Sequence, residues 1–320
     1  MLGEAAAFIR AYDDFTLICH VSPDGDTLGS ALALAHGLQR LGKRAQIVCE
    51  DHVPVIYRFL PGAEGVLQPA HVPAADAVIS VDCADVRRTG ACMALFTAAK
   101  HTLNIDHHRT NTCYAAANYV VQSAATGELI YALLVALSVP IDQEIASCLY
   151  TAIVTDTGNF AYSETTPDTM RIVAELLESG IDLPTLNRNL LRTIPLHKIK
   201  LLGRAITKTA VYDEGRLGIA ALSVGDLADC GSTAEDTEGV IDSIRDIDTV
   251  EIAALLRECG DGTVRVSLRG KRYADVSCIA QKYDGGGHRL AAGCTLRCSL
   301  AEAIVLIRSA AEAVLRGEAC

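Results

Sequence analysis

The sequence has no run of eighteen apolar residues, which excludes a membrane-spanning helix. Its first residues, MLGEAAAFIR, lack the basic end and long apolar stretch of a secretory leader. These absences lead us to expect a cytoplasmic protein. The twelve cysteines contain no C-x-x-C pair. Cys294 and Cys298 stand four apart without a second pair, a poor zinc site. Cys19, Cys49 and Cys83 sit inside apolar runs and read as buried, reduced hydrophobes. Positive charge is also short. The formal net charge is −11, which argues against a general nucleic-acid coat protein. No internal repeat or low-complexity tract interrupts the chain.

Half of the 320 residues are hydrophobic, enough for a core in each of two domains. The charge is uneven: residues 251–300 hold eight Lys or Arg against five Asp or Glu. An acidic body with a locally basic segment suits a small anionic ligand better than a long duplex. FTLICHV (15–21), AQIVCE (45–50), ADAVISVD (75–82) and HTLNIDHH (101–108) read as strands. Between them lie a helix running from Leu28 to Gly42 and one around ACMALFTAAK. Two helices follow, at about 125–137 and 142–154. This alternation predicts an α/β fold with a doubly wound, mainly parallel sheet and helices on both faces. Beyond a connector around 180–198 the pattern changes. It predicts hairpins turning at Asp213-Glu214-Gly215 and Gly260-Asp261-Gly262. A helix near 275–283, a glycine run, a strand and a last helix near 299–316 complete a smaller, mixed α+β domain.

Three strands end in acid and histidine. The first leads to His20, Asp24 and Asp26, the third to Asp82 and Asp85, the fourth to Asp106, His107 and His108. Asp156 lies where a helical run meets Gly158. Parallel sheets bind ligands at the carboxyl ends of their strands, so these tips converge if the strands are neighbours. Taken singly, Asp26 reads as an N-cap for the Leu28 helix, and Asp85 as a cap only. Together, Asp24, Asp26, Asp82 and Asp156 pose an electrostatic problem. Two like charges 4 Å apart repel by about 4 kcal/mol at an effective dielectric of 20. Two divalent cations would balance four carboxylates, with His20 and His107 completing the coordination. Oxygen-rich ligation favours Mn²⁺, or Mg²⁺, over zinc. Gly25 is expected to bend the backbone so that Asp24 and Asp26 face different metals, and Asp82 to bridge them.

HVSPDGD, VDCAD, IDHH and TDTGNF resemble, in order, the four motifs of the DHH phosphoesterase superfamily. DGGGHRLAAG (284–293) resembles the signature of the DHH-associated C-terminal domain. Length and VRVSLRG look most like the oligoribonuclease (nanoRNase)/3′-phosphoadenosine-5′-phosphate phosphatase branch. The resemblance implies one metal on His20, Asp24 and Asp82, and the other on Asp26, Asp82, His107 and Asp156. It implies that His108 faces the substrate, that Asp106 orients a histidine ring, and that the two domains face each other across a cleft. Residues 1–182 would be the catalytic metal-binding domain, 183–205 a helical linker and 206–320 the substrate-binding domain.

The expected activity is metal-dependent hydrolysis of short RNA oligonucleotides to mononucleotides, and of 3′-phosphoadenosine 5′-phosphate to AMP. A water activated between the metals would attack phosphorus in line. Strand alternation puts Arg265, Ser267 and Arg269 on one face. Gly285, Gly286 and Gly287 let backbone N–H groups approach a phosphate, with His288 a further donor. Expected partners are short oligonucleotides or small nucleotides, with no long nucleic acid, no membrane, and a homodimer as an option. The alternatives are a cyclic- or linear-dinucleotide phosphodiesterase, an inorganic pyrophosphatase (whose family lacks GGGH) and a non-catalytic nucleotide sensor.

Overall fold

The apolar run after Asp13 forms the first of five parallel strands in the computed structural model, which describes residues 1–72, 75–237 and 239–318. The chain divides into two units, Met1–Thr193 and Ile194–Cys320. The first contains α1 (Leu2–Ala11), β1 (Asp14–Ile18), α2 (Gly25–Arg40), β2 (Arg44–Val48), β3 (Ala77–Val81) and α3 (Met93–Ala98). It continues with β4 (Thr102–Asp106), β5 (Ala117–Val120), α4 (Thr126–Ala136), α5 (Gln143–Asp156), α6 (Pro167–Glu178) and α7 (Leu183–Asn187). The strand order is β2-β1-β3-β4-β5. Both β3 and β4 are buried at every position, which is why they read as continuous apolar runs rather than alternations. Phe15, Leu17, Ile79 and Leu103 pack on one face with Ile9, Leu28, Leu32, Leu133 and Leu149 from α1, α2, α4 and α5. On the other face Ile18, Val48 and Val78 meet Cys92 and Phe96, so that side is covered by the short α3 and the turns around it.

Helix α2 shows how the sequence sets an element. Asp24 caps it by accepting from the N–H groups of Asp26 and Thr27, both at 3.1 Å. Leu28, Ala31, Leu32, Ala35 and Leu38 are buried, each leucine stabilising by roughly 1.5–3 kcal/mol. Gly42, with φ of +75°, ends it. The cap is therefore Asp24, and Asp26 lies in the first turn, against the single-residue reading of Asp26. Gly25 also differs from expectation. It begins the helix, and a Cβ there would collide with the side chain of Thr155. At Gly29 a Cβ would meet the backbone of Cys148. Both glycines serve the close approach of α2 to α5.

The structure adds α1, β5 and α6 to the elements expected from sequence. Strand β5 has four residues and only Tyr119 fully buried, too little for a periodic signal. Ten cysteines are free thiols, and Cys19, Cys49, Cys83, Cys92, Cys148, Cys230 and Cys294 are buried, as expected. Cys278 departs from that reading because it is disulfide-bonded. Cys320 lies outside the described residues.

The second unit contains α8 (Leu196–Thr207), β6 (Ala210–Tyr212), β7 (Leu217–Leu222), α9 (Val224–Cys230), α10 (Val240–Arg245) and β8 (Ile252–Glu258). Then come β9 (Val264–Gly270), α11 (Ser277–Gln281), β10 (Gly286–His288), β11 (Ala291–Leu296) and α12 (Leu300–Leu315). Six strands form a mixed sheet in the order β10-β11-β9-β8-β7-β6. Both expected hairpins form, but β7 and β8 run parallel, and α9 and α10 make the crossover between them. One face packs on Val276, Ile279, Ala303 and Ile307. The other packs, at β7 and β8, on Leu201, Ala205, Leu227, Ile241 and Ile244. On that second face Arg265 and Thr295 stay exposed, and Ser267, Arg269 and Gly293 are half-buried. No described helix is long and apolar enough to cross a membrane.

Candidate functional site

The strand order places a topological switch point between β1 and β3, because the chain leaves β1 for β2 on one side and reaches β3 on the other. Such a point opens a crevice at the strand ends. His20 and Asp24 follow β1, Asp82 follows β3, and His107 and His108 follow β4, so three adjacent strands deliver the predicted residues together. Asp156 arrives differently. It is the last residue of α5, and the close α2–α5 packing brings it to Asp26.

Ligand atoms of His20, Asp24 and Asp82 lie within 4.8 Å of one another, as do those of Asp26, His107 and Asp156. The His20 Nε2 is 3.6 Å from Asp24 Oδ2 and 3.5 Å from Asp82 Oδ2. The His107 Nε2 is 3.9 Å from Asp26 Oδ2, 3.6 Å from Asp82 Oδ1 and 3.4 Å from Asp156 Oδ2. Asp82 thus turns one oxygen to each group. Its φ of +60° is a strained conformation for a side-chain-bearing residue, and it aims the carboxylate back over the strand ends. Thr126 Oγ1 donates to Asp82 Oδ1 at 2.8 Å.

Both histidines are oriented from behind. Nδ1 of His20 donates to the Val21 carbonyl at 2.8 Å, and Nδ1 of His107 to that of Ser123 at 3.0 Å. Each Nε2 is then the atom presented to the carboxylates, the tautomer a metal ligand needs. Burial alone would lower the His20 pKa, yet its bonds to Asp24 and Asp82 prevail and raise it to about 10. Asp26 is pushed well above the usual carboxylate range by burial and then by Asp82, Asp156 and Asp24. Asp156 is raised to about 6, chiefly by burial, with Asp82 and Asp24 adding to it against the opposing pull of His107 and His108. This donor set fits two divalent cations: four carboxylates that cannot all ionise alone, two imidazoles with free Nε2, and one carboxylate shared between the groups.

His108 is 43% exposed, and its Nδ1 donates to Asp106 Oδ1 at 2.7 Å. Asp106 is fully buried and also accepts from Asn111 Nδ2 at 2.5 Å. Burial raises its pKa, but the bonds from His108 and Asn111 win and hold it low. The His108 pKa is raised, chiefly by Asp106. Asp85 accepts from Arg87 N–H and its guanidinium, the cap role expected of it.

In the second unit, Arg265, Ser267, Gly285 and Gly286 line one open depression of about 840 Å³. Arg269 and His288 do not line it. They lie at the other end of the same strand face, where Ala291 on β11 is opposite both. A Cβ at Gly285 would collide with the Gly293 carbonyl, and one at Gly287, with φ of +141°, would strike the backbone of Ala291 and Ala292. Close backbone approach therefore requires both glycines, while Gly286 faces open space.

Residues 14–153 match the N-terminal domain of the DHH family, and residues 218–317 match the DHHA1 domain. A bifunctional oligoribonuclease and PAP phosphatase NrnA from Thermus thermophilus is 36% identical over 281 residues, covering 87% of this chain and 82% of that protein. The chain belongs to the DHH phosphoesterase family. An exopolyphosphatase-related protein from Bacteroides fragilis superposes with a TM-score of 0.90 at 25% identity, over 97% of this chain and 95% of that one. The exonuclease RecJ, solved bound to manganese, shares the fold with a TM-score of 0.54 at 16% identity, covering 98% and 94%.

Several residues that position the DHH centre were not legible from sequence. Asp26 accepts from the N–H groups of Thr126 and Gly127, at 2.6 and 3.0 Å, and from Ser30 Oγ at 2.9 Å. Glu128 accepts from the Ser123 hydroxyl and the Ala124 N–H, so it holds the loop whose carbonyl orients His107. The only signal for these was a Thr-Gly-Glu sequence opening an apolar helix. Arg88 brings a guanidinium nitrogen to 3.2 Å from His20 Nδ1, and nothing in its local sequence marked it.

Proposed function

We propose that this protein is a metal-dependent phosphoesterase that hydrolyses short RNA oligonucleotides to mononucleotides, with 3′-phosphoadenosine 5′-phosphate as a second substrate. The observation carrying this reading is Asp82, one carboxylate turned to both histidine–carboxylate groups. We assign His20, Asp24 and Asp82 to one cation, and Asp26, Asp82, His107 and Asp156 to the other, with Mn²⁺ preferred over Mg²⁺. Bound there, the cations would supply positive charge for phosphoryl oxygens and acidify a water. The chain's own residues do the rest. Asp106 fixes the His108 ring so that Nε2 points outward, and its raised pKa keeps a proton there for a phosphoryl oxygen. The second unit grips the remainder of the substrate through Arg269, Ser267, His288 and the backbone of Gly285–Gly287. Arg265 adds charge further along β9. The Thermus thermophilus relative, named an oligoribonuclease and PAP phosphatase, supports the substrate class. The acidic chain supports small rather than long nucleic acid. We place the protein in the cytoplasm.

The test is a parallel assay with Mn²⁺ on a labelled dinucleotide, 3′-phosphoadenosine 5′-phosphate, cyclic di-AMP and pyrophosphate, ranked by kcat/KM. The dinucleotide should rank first. Pyrophosphate or cyclic di-AMP in that place would overturn the substrate assignment. Asp82→Ala should abolish turnover of every substrate, and near wild-type rates at saturating Mn²⁺ would remove its bridging role.

A further inference from the structure

The sheet face of the second unit carries cations at two separate places. Arg269 and His288 mark one. The other is where β10 stops. Strand β10 pairs only with Ala291–Gly293 of β11, so the outer edge of Cys294–Leu296 is left unpaired and forms one wall of the open depression. Lys282, Arg265 and Arg297 line it, with Thr295 between the two arginines and Asp284 as its one acidic lining residue. In the sheet register Arg257 on β8 stands directly opposite Arg265 on β9, and Arg265 directly opposite Thr295 on β11.

That arrangement is costly by itself. Like charges directly opposite on neighbouring strands destabilise a sheet. Other arginines of this acidic chain, Arg40, Arg44, Arg204, Arg245 and Arg308 among them, sit in ion pairs. Among the described residues, Arg257, Arg265, Lys282 and Arg297 have no ion-pair partner. Asp261, the acid that feels the Arg297 charge, is already engaged by the Thr263 N–H at 3.0 Å and hydroxyl at 2.7 Å. An anion is the missing partner. Between the two cationic places the floor is Ser267, Gly293 and Gly286, facing one another across β9, β11 and β10, with almost no side chain to obstruct a sugar or base.

We propose that the notch formed by Lys282, Arg297 and Arg265, with Arg257 on the strand beside it, is a second phosphate subsite, which binds a non-scissile phosphodiester of an oligoribonucleotide. This rests on the phosphoesterase reading above and adds a length rule to it. The Cα atoms of Arg265 and Arg269, four residues along one strand, are about 13 Å apart, so side chains standing off the sheet side by side meet phosphates of different nucleotides. Only a substrate with phosphates spread over several nucleotides fills both places. A 5′-hydroxyl dinucleotide, whose single phosphate is the scissile one, fills neither, and 3′-phosphoadenosine 5′-phosphate fills one. Because both places lie on one sheet of the second unit, the separation is independent of the first unit.

The test uses the full chain with Lys282→Gln and Arg297→Gln combined, both exposed positions outside the residues assigned above to substrate grip. Steady-state kinetics with Mn²⁺ are run on 5′-hydroxyl ribo-oligomers of two to five nucleotides and on 3′-phosphoadenosine 5′-phosphate. The KM for the tetramer and pentamer should rise roughly tenfold, the loss expected for two solvent-exposed phosphate contacts, with kcat unchanged. The dinucleotide and 3′-phosphoadenosine 5′-phosphate should change less than about twofold, since neither reaches the notch. A second arm measures anisotropy of a fluorescent pentamer in EDTA, where no cleavage occurs, and should show the same loss of affinity. A KM change independent of length, or no change in either arm, overturns the second subsite. If the wild type cleaves none of the substrates, the phosphoesterase reading fails, and the EDTA arm alone decides whether the notch binds the oligomer.

Discussion

Replacing Asp156 by asparagine should stabilise the protein when divalent cations are absent and remove most of its response to them. Oxygens of Asp156 and Asp26 lie within 4.8 Å. Fully ionised, the pair would repel by about 3.5 kcal/mol at an effective dielectric of 20. Asp156 also ends α5, where negative charge opposes the helix dipole by about 0.3–1 kcal/mol. Its carboxyl is raised to about 6, so between pH 4 and 6 the folded state binds more protons than the unfolded state. Stability therefore falls as pH rises through that window, and the full penalty stands above pH 6. The side chain is one-third exposed, at 33%, and solvent screening reduces the penalty to about 1–2 kcal/mol. Asparagine keeps the shape and removes the charge. Thermal unfolding in EDTA at pH 8 should rise by several degrees, at roughly 2–4 °C per kcal/mol, with little difference at pH 4. Added Mn²⁺ should stabilise the wild type strongly and the variant weakly. A variant less stable than wild type in EDTA at pH 8, or one stabilised equally by Mn²⁺, would refute the electrostatic account of the centre.

Three further outcomes follow from named contacts. His108→Ala should lower kcat about 10²- to 10³-fold with little change in KM, since its proton acts on charge that develops in the transition state; a loss confined to KM in dinucleotide kinetics would make it a ground-state contact. Glu251 is buried and accepts from the N–H groups of Arg272, Tyr273 and Ala274 at 2.9, 2.7 and 3.0 Å. Burial pushes its pKa up, but these bonds outweigh burial and hold it below 4.5. Glu251→Gln should cost about 1–3 kcal/mol at pH 7. The difference should fade as pH falls through the lowered pKa, where the wild-type carboxylate takes up a proton; equal costs in denaturant unfolding at pH 7 and in strong acid would contradict this. Gly285→Ala places a methyl group against the Gly293 carbonyl. It should raise KM for a dinucleotide roughly tenfold through the displaced loop, while calorimetric Mn²⁺ binding stays at the wild-type level.

The sequence by itself determined the donor types and their places at strand tips, because chemistry-bearing residues after short apolar runs can be read without knowing how the strands pair. It also determined the parallel first sheet and the two hairpins of the second unit, since period and turn residues are local signals. Tertiary structure alone decided that β1, β3 and β4 are neighbours, and so that His20, Asp82 and His107 meet. It decided that Asp82 adopts positive φ and turns both ways, and that α2 and α5 approach closely enough to bring Asp156 to Asp26. Glu128, Thr126 and Asn111 act through contacts with residues distant in space or through backbone groups, which leave no periodic mark. Strand β5 is too short and too exposed to announce itself, and the parallel pairing of β7 with β8 depends on a crossover that local periodicity does not encode. Arg265 and Arg269 look equivalent in VRVSLRG. Only the register of the neighbouring strands places one beside Arg257 and Thr295 and the other opposite Ala291, because strand pairing is a long-range choice that no seven residues contain.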